Sequence, residues 1–315
     1  MLAATPYDRL PEPAARRLGA RPGQKNLLVR IVLRDLEKTL TNEAANVLRD
    51  RIYLAIHQGH PAPVGGNVVP MTAVLDHLAI GTPNLTDGWE LFGGVLGGTW
   101  AYGMDSPGYW WGQLKFAAGP KVELLTPAGG PDAAFLERFL AARGAGPHHF
   151  NFLVSDIGTT LARVRALGIE PVGINLDNPH WQEAFLHPRN AHGIVIQVAQ
   201  QAGEPQADTP PDGLPAPGAP TSFGLIEHHV GDLAGATRLF TEALGGRLEA
   251  TGDGTAELTW PGGKRIRLVR EDGLPLGGLL HHVRFTRADG AFSAQDRERA
   301  GLLAKRLGLT VELAG

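Results

Sequence analysis

The 315-residue sequence contains no cysteine and only three methionines. Without cysteine there is neither a disulfide nor a thiolate metal site, so any bound metal must be held by nitrogen and oxygen ligands. No apolar run approaches the roughly 20 residues that a membrane span needs, and the first residues lack a basic-then-apolar signal segment. The formal charge of −3 argues neither for nor against a polyanionic partner. These absences predict a cytoplasmic protein without membrane contact.

An internal repeat organises the middle of the chain. Two short apolar strands each contain a histidine, His77 in the first copy and His149 in the second. Seven residues after each histidine stands an amide or acidic residue, Asn84 or Asp156, and an amphipathic helix begins directly after it. Strict strand alternation would place Asp76 and His148 on the faces opposite to these histidines. The order of elements predicts one strand-helix-strand-strand-strand unit per copy.

Each copy closes with a second apolar strand that carries one polar residue, Glu123 in the first copy and Gln197 in the second. This residue follows the histidine by 46 positions in the first copy and by 48 in the second, so the four polar side chains occupy equivalent places. A buried carboxylate is costly unless it is paired or binds a metal. Two imidazoles, a carboxylate and an amide oxygen suit one divalent ion of Zn, Ni, Co, Mn or Fe.

The repeat resembles the glyoxalase and methylmalonyl-CoA epimerase branch of the vicinal oxygen chelate superfamily. The segments that carry the resemblance are Leu75–Ile80, Lys121–Pro127, Pro147–Phe152 and Gly193–Gln197. The resemblance implies an α+β fold in which paired βαβββ modules form an open curved barrel with a metal site in its concavity. The implied metal ligands are His77, Glu123, His149 and Gln197. The strand that would line the cavity contributes three predicted substrate-binding residues, Trp111, Gln113 and Lys115.

The same resemblance implies a metal-dependent isomerase or lyase that acts on a small 2-oxo or acyl thioester substrate. The metal would chelate vicinal oxygens of the substrate and stabilise an enolate-like intermediate. Gln197 departs from the family pattern, because glyoxalase I and the epimerase carry a glutamate there that takes part in proton transfer, and an amide cannot act as a general base. Glu123 is therefore the predicted catalytic residue, with Lys115 as a second acid-base group.

Two alternative functions are compatible with the same residues. His77, His149 and Glu123 form a two-histidine, one-carboxylate set, the composition of non-haem iron oxygenases, so an extradiol-type dioxygenase is one alternative. A non-catalytic protein that binds a small molecule or contacts RNA is the other. An incomplete last repeat would leave an open sheet edge, and this favours a homo-oligomer such as a dimer.

The sequence predicts four parts in the chain: a small α+β element at 1–62, the complete two-module metal domain at 71–200, a proline-rich linker at 201–220 and a degenerate copy at 221–315. In the first part, a strand at 27–33 and a helix at about 42–57 resemble part of the ferredoxin-like anticodon-binding domain of phenylalanyl-tRNA synthetase. That resemblance implies weak RNA contact.

The last part repeats the pattern in altered form. Leu225 and His282 stand at the places of the two histidines, and arginines occupy the strand that corresponds to that of Glu123. The fourth copy is predicted to stop before its last strands. This part should therefore form no equivalent metal site and should have a structural or interaction role.

Overall fold

The computed structural model describes residues 2–6, 25–29, 73–203, 209–287 and 290–315. The chain divides into two compact units, Met1–Met71 and Thr72–Gly315. In the first unit, strands β1 (Leu2–Pro6) and β2 (Lys25–Val29) pair antiparallel. The rest of the predicted strand at 27–33, the predicted helix at 42–57 and the proposed ferredoxin-like fold lie outside the described residues.

The second unit begins with an eight-stranded mixed sheet built from two βαβββ modules. Its elements are β3 (Ala73–Gly81), α1 (Leu85–Trp89, continued by a π-helix at Glu90–Val95), β4 (Thr99–Ser106), β5 (Tyr109–Lys115), β6 (Lys121–Pro127), α2 (Ala134–Arg143), β7 (Gly146–Val154), α3 (Ile157–Ala166), β8 (Val172–Asn175), β9 (Trp181–Leu186) and β10 (Val195–Gln201). The strand order is β4-β5-β6-β3-β7-β10-β9-β8, with β3 and β7 antiparallel at the centre. The predicted α+β class with paired modules is confirmed, and the sheet is open.

A six-stranded mixed sheet follows, with the order β12-β13-β14-β11-β15-β16. Its elements are β11 (Thr221–Val230), α4 (Leu233–Arg238, continued by a π-helix at Leu239–Ala243), β12 (Arg247–Gly252), β13 (Thr255–Trp260), β14 (Lys264–Arg270), β15 (Gly278–Arg287), α5 (Ala294–Arg306) and β16 (Val311–Ala314). β16 runs parallel to β15, as β10 runs parallel to β7. The fourth copy therefore contains two strands fewer than a complete module among the described residues, and β16 pairs with β15 in the position of a closing strand.

Helix N-caps mark the repeat in the structure. The side chains of Asn84, Asp156 and Asp232 accept hydrogen bonds from backbone N–H groups of the first turns of α1, α3 and α4. Each stands seven residues after the residue at the repeat position of its module, which is His77, His149 or Leu225. Short polar side chains at this spacing therefore begin the helices. α5 begins differently, with a capping box between Ser293 and Asp296.

A β-bulge precedes each repeat position in the strands that open the first two modules. The β3–β7 register skips Asp76, directly before His77, and skips His148, directly before His149. A bulge turns two consecutive side chains toward the same face, because the extra residue interrupts the alternation. The predicted placement of Asp76 opposite His77, and of His148 opposite His149, is wrong for this reason.

The strands that open the last two modules have bulges at the same places. The β11–β15 register skips Gly224, directly before Leu225, and skips His281, directly before His282. The bulge therefore occurs in all four modules, whatever residue follows it.

A continuous apolar core joins the two sheets of the second unit. Phe152 of β7 packs against Phe240 and Trp260, with ring centroids 6.0 and 5.4 Å apart. Because residues from both sheets fill one core, the sheets stabilise each other. Within the described residues, no helix is long and apolar enough to cross a membrane.

Candidate metal centre

Three potential metal ligands meet on adjacent strands at the centre of the first sheet. His77 (β3), Glu123 (β6) and His149 (β7) are all buried. The Nε2 atoms of the two histidines are 3.4 Å apart. Glu123 Oε2 lies 3.5 Å from His77 Nε2, and Glu123 Oε1 lies 3.8 Å from His149 Nε2. Ligand atoms at the usual zinc bond lengths on a tetrahedral ion lie about 3.3–3.5 Å from each other. The group therefore fits one divalent ion with small adjustments.

A buried carboxylate orients the first histidine. Asp76 Oδ2 lies 2.8 Å from His77 Nδ1 and 2.9 Å from Lys121 Nζ, and Lys121 also donates a 2.9 Å hydrogen bond to the Tyr102 hydroxyl. Burial alone would raise the pKa of Asp76, but His77 and Lys121 outweigh it and hold this pKa well below its usual range. The ionised carboxylate favours a proton on Nδ1, so the lone pair of Nε2 faces His149 and Glu123.

His148 contacts the side of the His149 ring opposite to Nε2. The Nδ1 atoms of His148 and His149 are 2.9 Å apart, and the His148 ring packs edge-on against Phe139 of α2 at 4.8 Å. Burial lowers the pKa of His149, and the charges of His148 and His77 lower it further. Burial and Arg143 lower the pKa of His148 to about 4. Both rings are thus neutral near pH 7, the form in which imidazole binds metals.

Two glutamines complete the surroundings of the group. Gln113 donates a 2.7 Å hydrogen bond to Glu123 Oε2, while its own buried Oε1 has no hydrogen-bond partner. Gln197 lies beside His149, but its Oε1 accepts from Asn151 at 2.8 Å and its Nε2 donates to Glu183 at 2.7 Å. The Gln197 amide is thus already engaged by two partners, and the compact ligand set is His77, Glu123 and His149.

Glu183 is a site residue that the sequence analysis missed. Its carboxylate accepts hydrogen bonds from Gln197 and from Trp181 Nε1, the latter at 2.9 Å. Burial raises the pKa of Tyr109, and the charges of both Glu123 and Glu183 raise it further. The repeat holds a signal for this residue, because Glu183 occupies on β9 the place that Trp111 occupies on β5.

The other two predicted substrate-binding residues, Trp111 and Lys115, differ in their surroundings. Trp111 donates a 3.0 Å hydrogen bond to Ser106 and packs edge-on against Tyr102. Lys115 is exposed at the end of β5, and it is Lys121 that contacts the Asp76 carboxylate.

Residues 76–185 match the model of the Glyoxalase/Bleomycin resistance protein/Dioxygenase superfamily. The mitochondrial methylmalonyl-CoA epimerase of Dictyostelium discoideum is 29% identical over 147 residues, which cover 43% of this chain and 84% of that protein. Residues 76–185 are therefore similar to members of this superfamily.

Solved structures similar to the chain include two enzymes. Methylmalonyl-CoA epimerase from Mycobacterium tuberculosis is 23% identical with a TM-score of 0.37, over 41% of this chain and 88% of that one. A mutant of 4-hydroxymandelate synthase from Streptomyces coelicolor is 12% identical with a TM-score of 0.49, over 74% of this chain and 75% of that one. The family match begins at residue 76, so the resemblance of residues 1–62 to phenylalanyl-tRNA synthetase, and the RNA contact implied by it, remain unsupported.

Proposed function

We propose that the first sheet binds a divalent metal through His77, Glu123 and His149 and catalyses isomerase or lyase chemistry by removing a proton next to a carbonyl. The observation that carries this proposal is the buried three-ligand group, whose spacing suits one ion. The sequence similarity to an epimerase supports the reaction class. A small 2-oxo compound or an acyl thioester is the proposed substrate.

A metal bound here would polarise the substrate carbonyl as a Lewis acid and so acidify the neighbouring C–H bond. The protein keeps the ligands in their binding geometry: Asp76 holds His77, His148 holds His149, and Gln113 holds Glu123. Such outer contacts fix imidazole tautomers and ring orientation. Trp111 and Tyr102 provide apolar surface for the substrate.

The carboxylates of Glu123 and Glu183 are proposed to transfer the proton next to the substrate carbonyl. Glu123 belongs to the ligand group, whereas Glu183 lies outside it and is only half-buried. A general base must accept and release a proton repeatedly, and a carboxylate that is free of the metal does this more readily. Glu183 is therefore the proposed second acid-base group, in place of Lys115.

The experiment combines metal analysis with isotope exchange. Protein loaded in turn with Zn, Ni, Co, Mn or Fe(II) is incubated in D2O with methylmalonyl-CoA, other branched acyl-CoA thioesters and 2-oxo acids, and deuterium beside the carbonyl is measured by mass spectrometry. We expect exchange in the wild type, and loss of both the ion at this centre and the exchange in His77→Ala and Glu123→Gln. The exchange rate should fall by at least about 100-fold.

Matched surface changes control for nonspecific effects. His180→Ala and Glu170→Gln alter exposed side chains of the same types and should keep both metal and exchange. Wild-type protein that binds no metal at this centre, or metal-loaded protein that exchanges none of the substrates, would leave a non-catalytic binding protein as the better description.

The composition of the ligand group favours a second candidate function. Two histidines and one carboxylate are the ligands of many non-haem iron oxygenases. Activity with Fe(II) alone, accompanied by oxygen uptake and without deuterium exchange, would identify a dioxygenase.

A further inference from the structure

The second sheet carries different residues at the positions equivalent to the four predicted metal ligands of the first sheet. The strand registers place Leu225 where the first sheet has His77, Arg267 where it has Glu123, His282 where it has His149 and Glu312 where it has Gln197. A leucine and an arginine cannot replace a histidine and a glutamate as metal ligands. These four residues therefore do not repeat the ligand set of the first sheet.

A different group of potential metal ligands lies on β11 and β15, beginning at Glu227, two residues after Leu225. Glu227 and His229 lie on β11, and His281 is the bulged residue of β15. Glu227 Oε1 lies 3.0 Å from His229 Nε2 and 3.5 Å from His281 Nδ1. The rings of His229 and His281 stack in parallel at 4.3 Å. These separations are close to the roughly 3.3–3.5 Å expected between ligand atoms on one tetrahedral ion.

The bulge places a third imidazole, that of His282, beside the group. His282 directs its Nδ1 to the same carboxylate oxygen at 3.5 Å, and it lies 3.0 Å from the Nδ1 of His281. Because the bulge turns two consecutive side chains to one face, both histidines reach Glu227. Three imidazole nitrogens therefore surround a single oxygen atom.

Carboxylates lie on the far side of two of these rings. Glu271 Oε2 lies 2.5 Å from His229 Nδ1, and Glu312 Oε2 lies 3.1 Å from His282 Nε2. The contact with Glu271 fixes the orientation of the His229 ring, whose Nε2 faces Glu227 Oε1.

We propose that Glu227, His229 and His281 form a second divalent-metal site, separate from the centre in the first sheet. The nitrogen-rich donor set suits Zn, Co, Ni or Cu(II) and disfavours Mg or Ca. The Glu271 carboxylate behind His229 provides the outer support that metal-binding histidines usually have. The His281 side chain is 53% exposed, so the ion is reachable from solvent.

The test counts ions with each site disabled in turn. Equilibrium dialysis with Zn2+, and visible absorption of Co2+-loaded protein, are measured on full-length wild type, His77→Ala, His229→Ala/His281→Ala, and the combination of all three changes. We expect two ions in the wild type, one in each single-site variant and none in the combination. His180→Ala, a matched change at an exposed histidine, should retain two.

The outcomes separate this proposal from the proposed function. One ion that is lost only with His77→Ala overturns the second site; one ion that is lost only with His229→Ala/His281→Ala supports it and overturns the first. No bound ion overturns both. Glu271→Gln, which removes a supporting carboxylate but no ligand, guards against misfolding of the double variant and should weaken Co2+ binding by about 10-fold.

Discussion

At the scale of single residues, the site differs from its sequence-based prediction mainly in where its carboxylates lie. Gln197 occupies the place at which the family resemblance implies a glutamate, and Glu183 hydrogen-bonds it from the neighbouring strand. The amide and the carboxylate thus stand side by side, one strand apart. The proposed proton-transfer group, Glu183, therefore lies next to Gln197, whose amide cannot act as a general base.

Glu183→Gln separates proton transfer from metal binding. We expect this variant to keep its metal, because Glu183 is outside the ligand group, and to lose deuterium exchange by about 100-fold or more. Exchange at the wild-type rate, or loss of the metal together with the exchange, would contradict this role for Glu183.

At the scale of strands, the bulges decide which side chains reach the site. Asp76 is the extra residue of β3: Leu75 pairs with Phe152 and His77 with Asn151, its neighbour on β7. Deleting Asp76 would therefore restore regular alternation without shifting a core side chain to the wrong face. Deleting Ala79, three residues later, would turn the buried Ile80 away from the core.

We expect the Asp76 deletion to fold and the Ala79 deletion to fail. Loss of Asp76 leaves Lys121 without its carboxylate partner, which should lower the free energy of unfolding by roughly 1–3 kcal/mol. Metal affinity should fall about 10- to 100-fold, because His77 loses its orienting carboxylate. Circular dichroism during thermal unfolding, with metal titration, measures both effects. If the two deletions are equally unfolded, the bulge is required for the fold.

The bulges also explain where the sequence analysis succeeded and where it failed. The spacing of His77, Glu123 and His149 follows from the repeat, so their meeting could be predicted, while their role as metal ligands stays a prediction. Bulges have no dependable residue signature, so Asp76 and His148 were assigned to the wrong faces. The repeat indicates Glu183 only through its equivalence to Trp111, while its hydrogen bond to Gln197 depends on the register between β9 and β10.

At the scale of the whole molecule, His228 links the two sheets. Its ring is fully buried on β11, packs edge-on against Phe150 of β7 at 5.7 Å and donates from Nε2 to the carbonyl of His192 at 2.7 Å. Burial lowers the pKa of His228 to about 4. The folded protein therefore holds this ring neutral, whereas the unfolded chain protonates it below about pH 6.5.

Acid should consequently destabilise the folded state through His228. The folded pKa lies below the unfolded one, so this loss is absent above about pH 6.5 and grows as the pH falls toward 4, reaching roughly 2 kcal/mol at pH 5. Urea unfolding at pH 7.5 and 5 should show a pH-dependent loss in His228→Gln that is smaller by about this amount. His180→Ala should match the wild type; equal losses in all three proteins would refute the assignment.

The fourfold recurrence of the bulge has a consequence for how this molecule can change over time. The backbone irregularity persists before His77, His149 and His282, and equally before Leu225, so it does not depend on the side chain that follows. Each duplicated module inherits a ready-made position from which two neighbouring side chains point to one face. New chemistry can then arise in either sheet by exchanging a few residues, while the architecture that presents them stays unchanged.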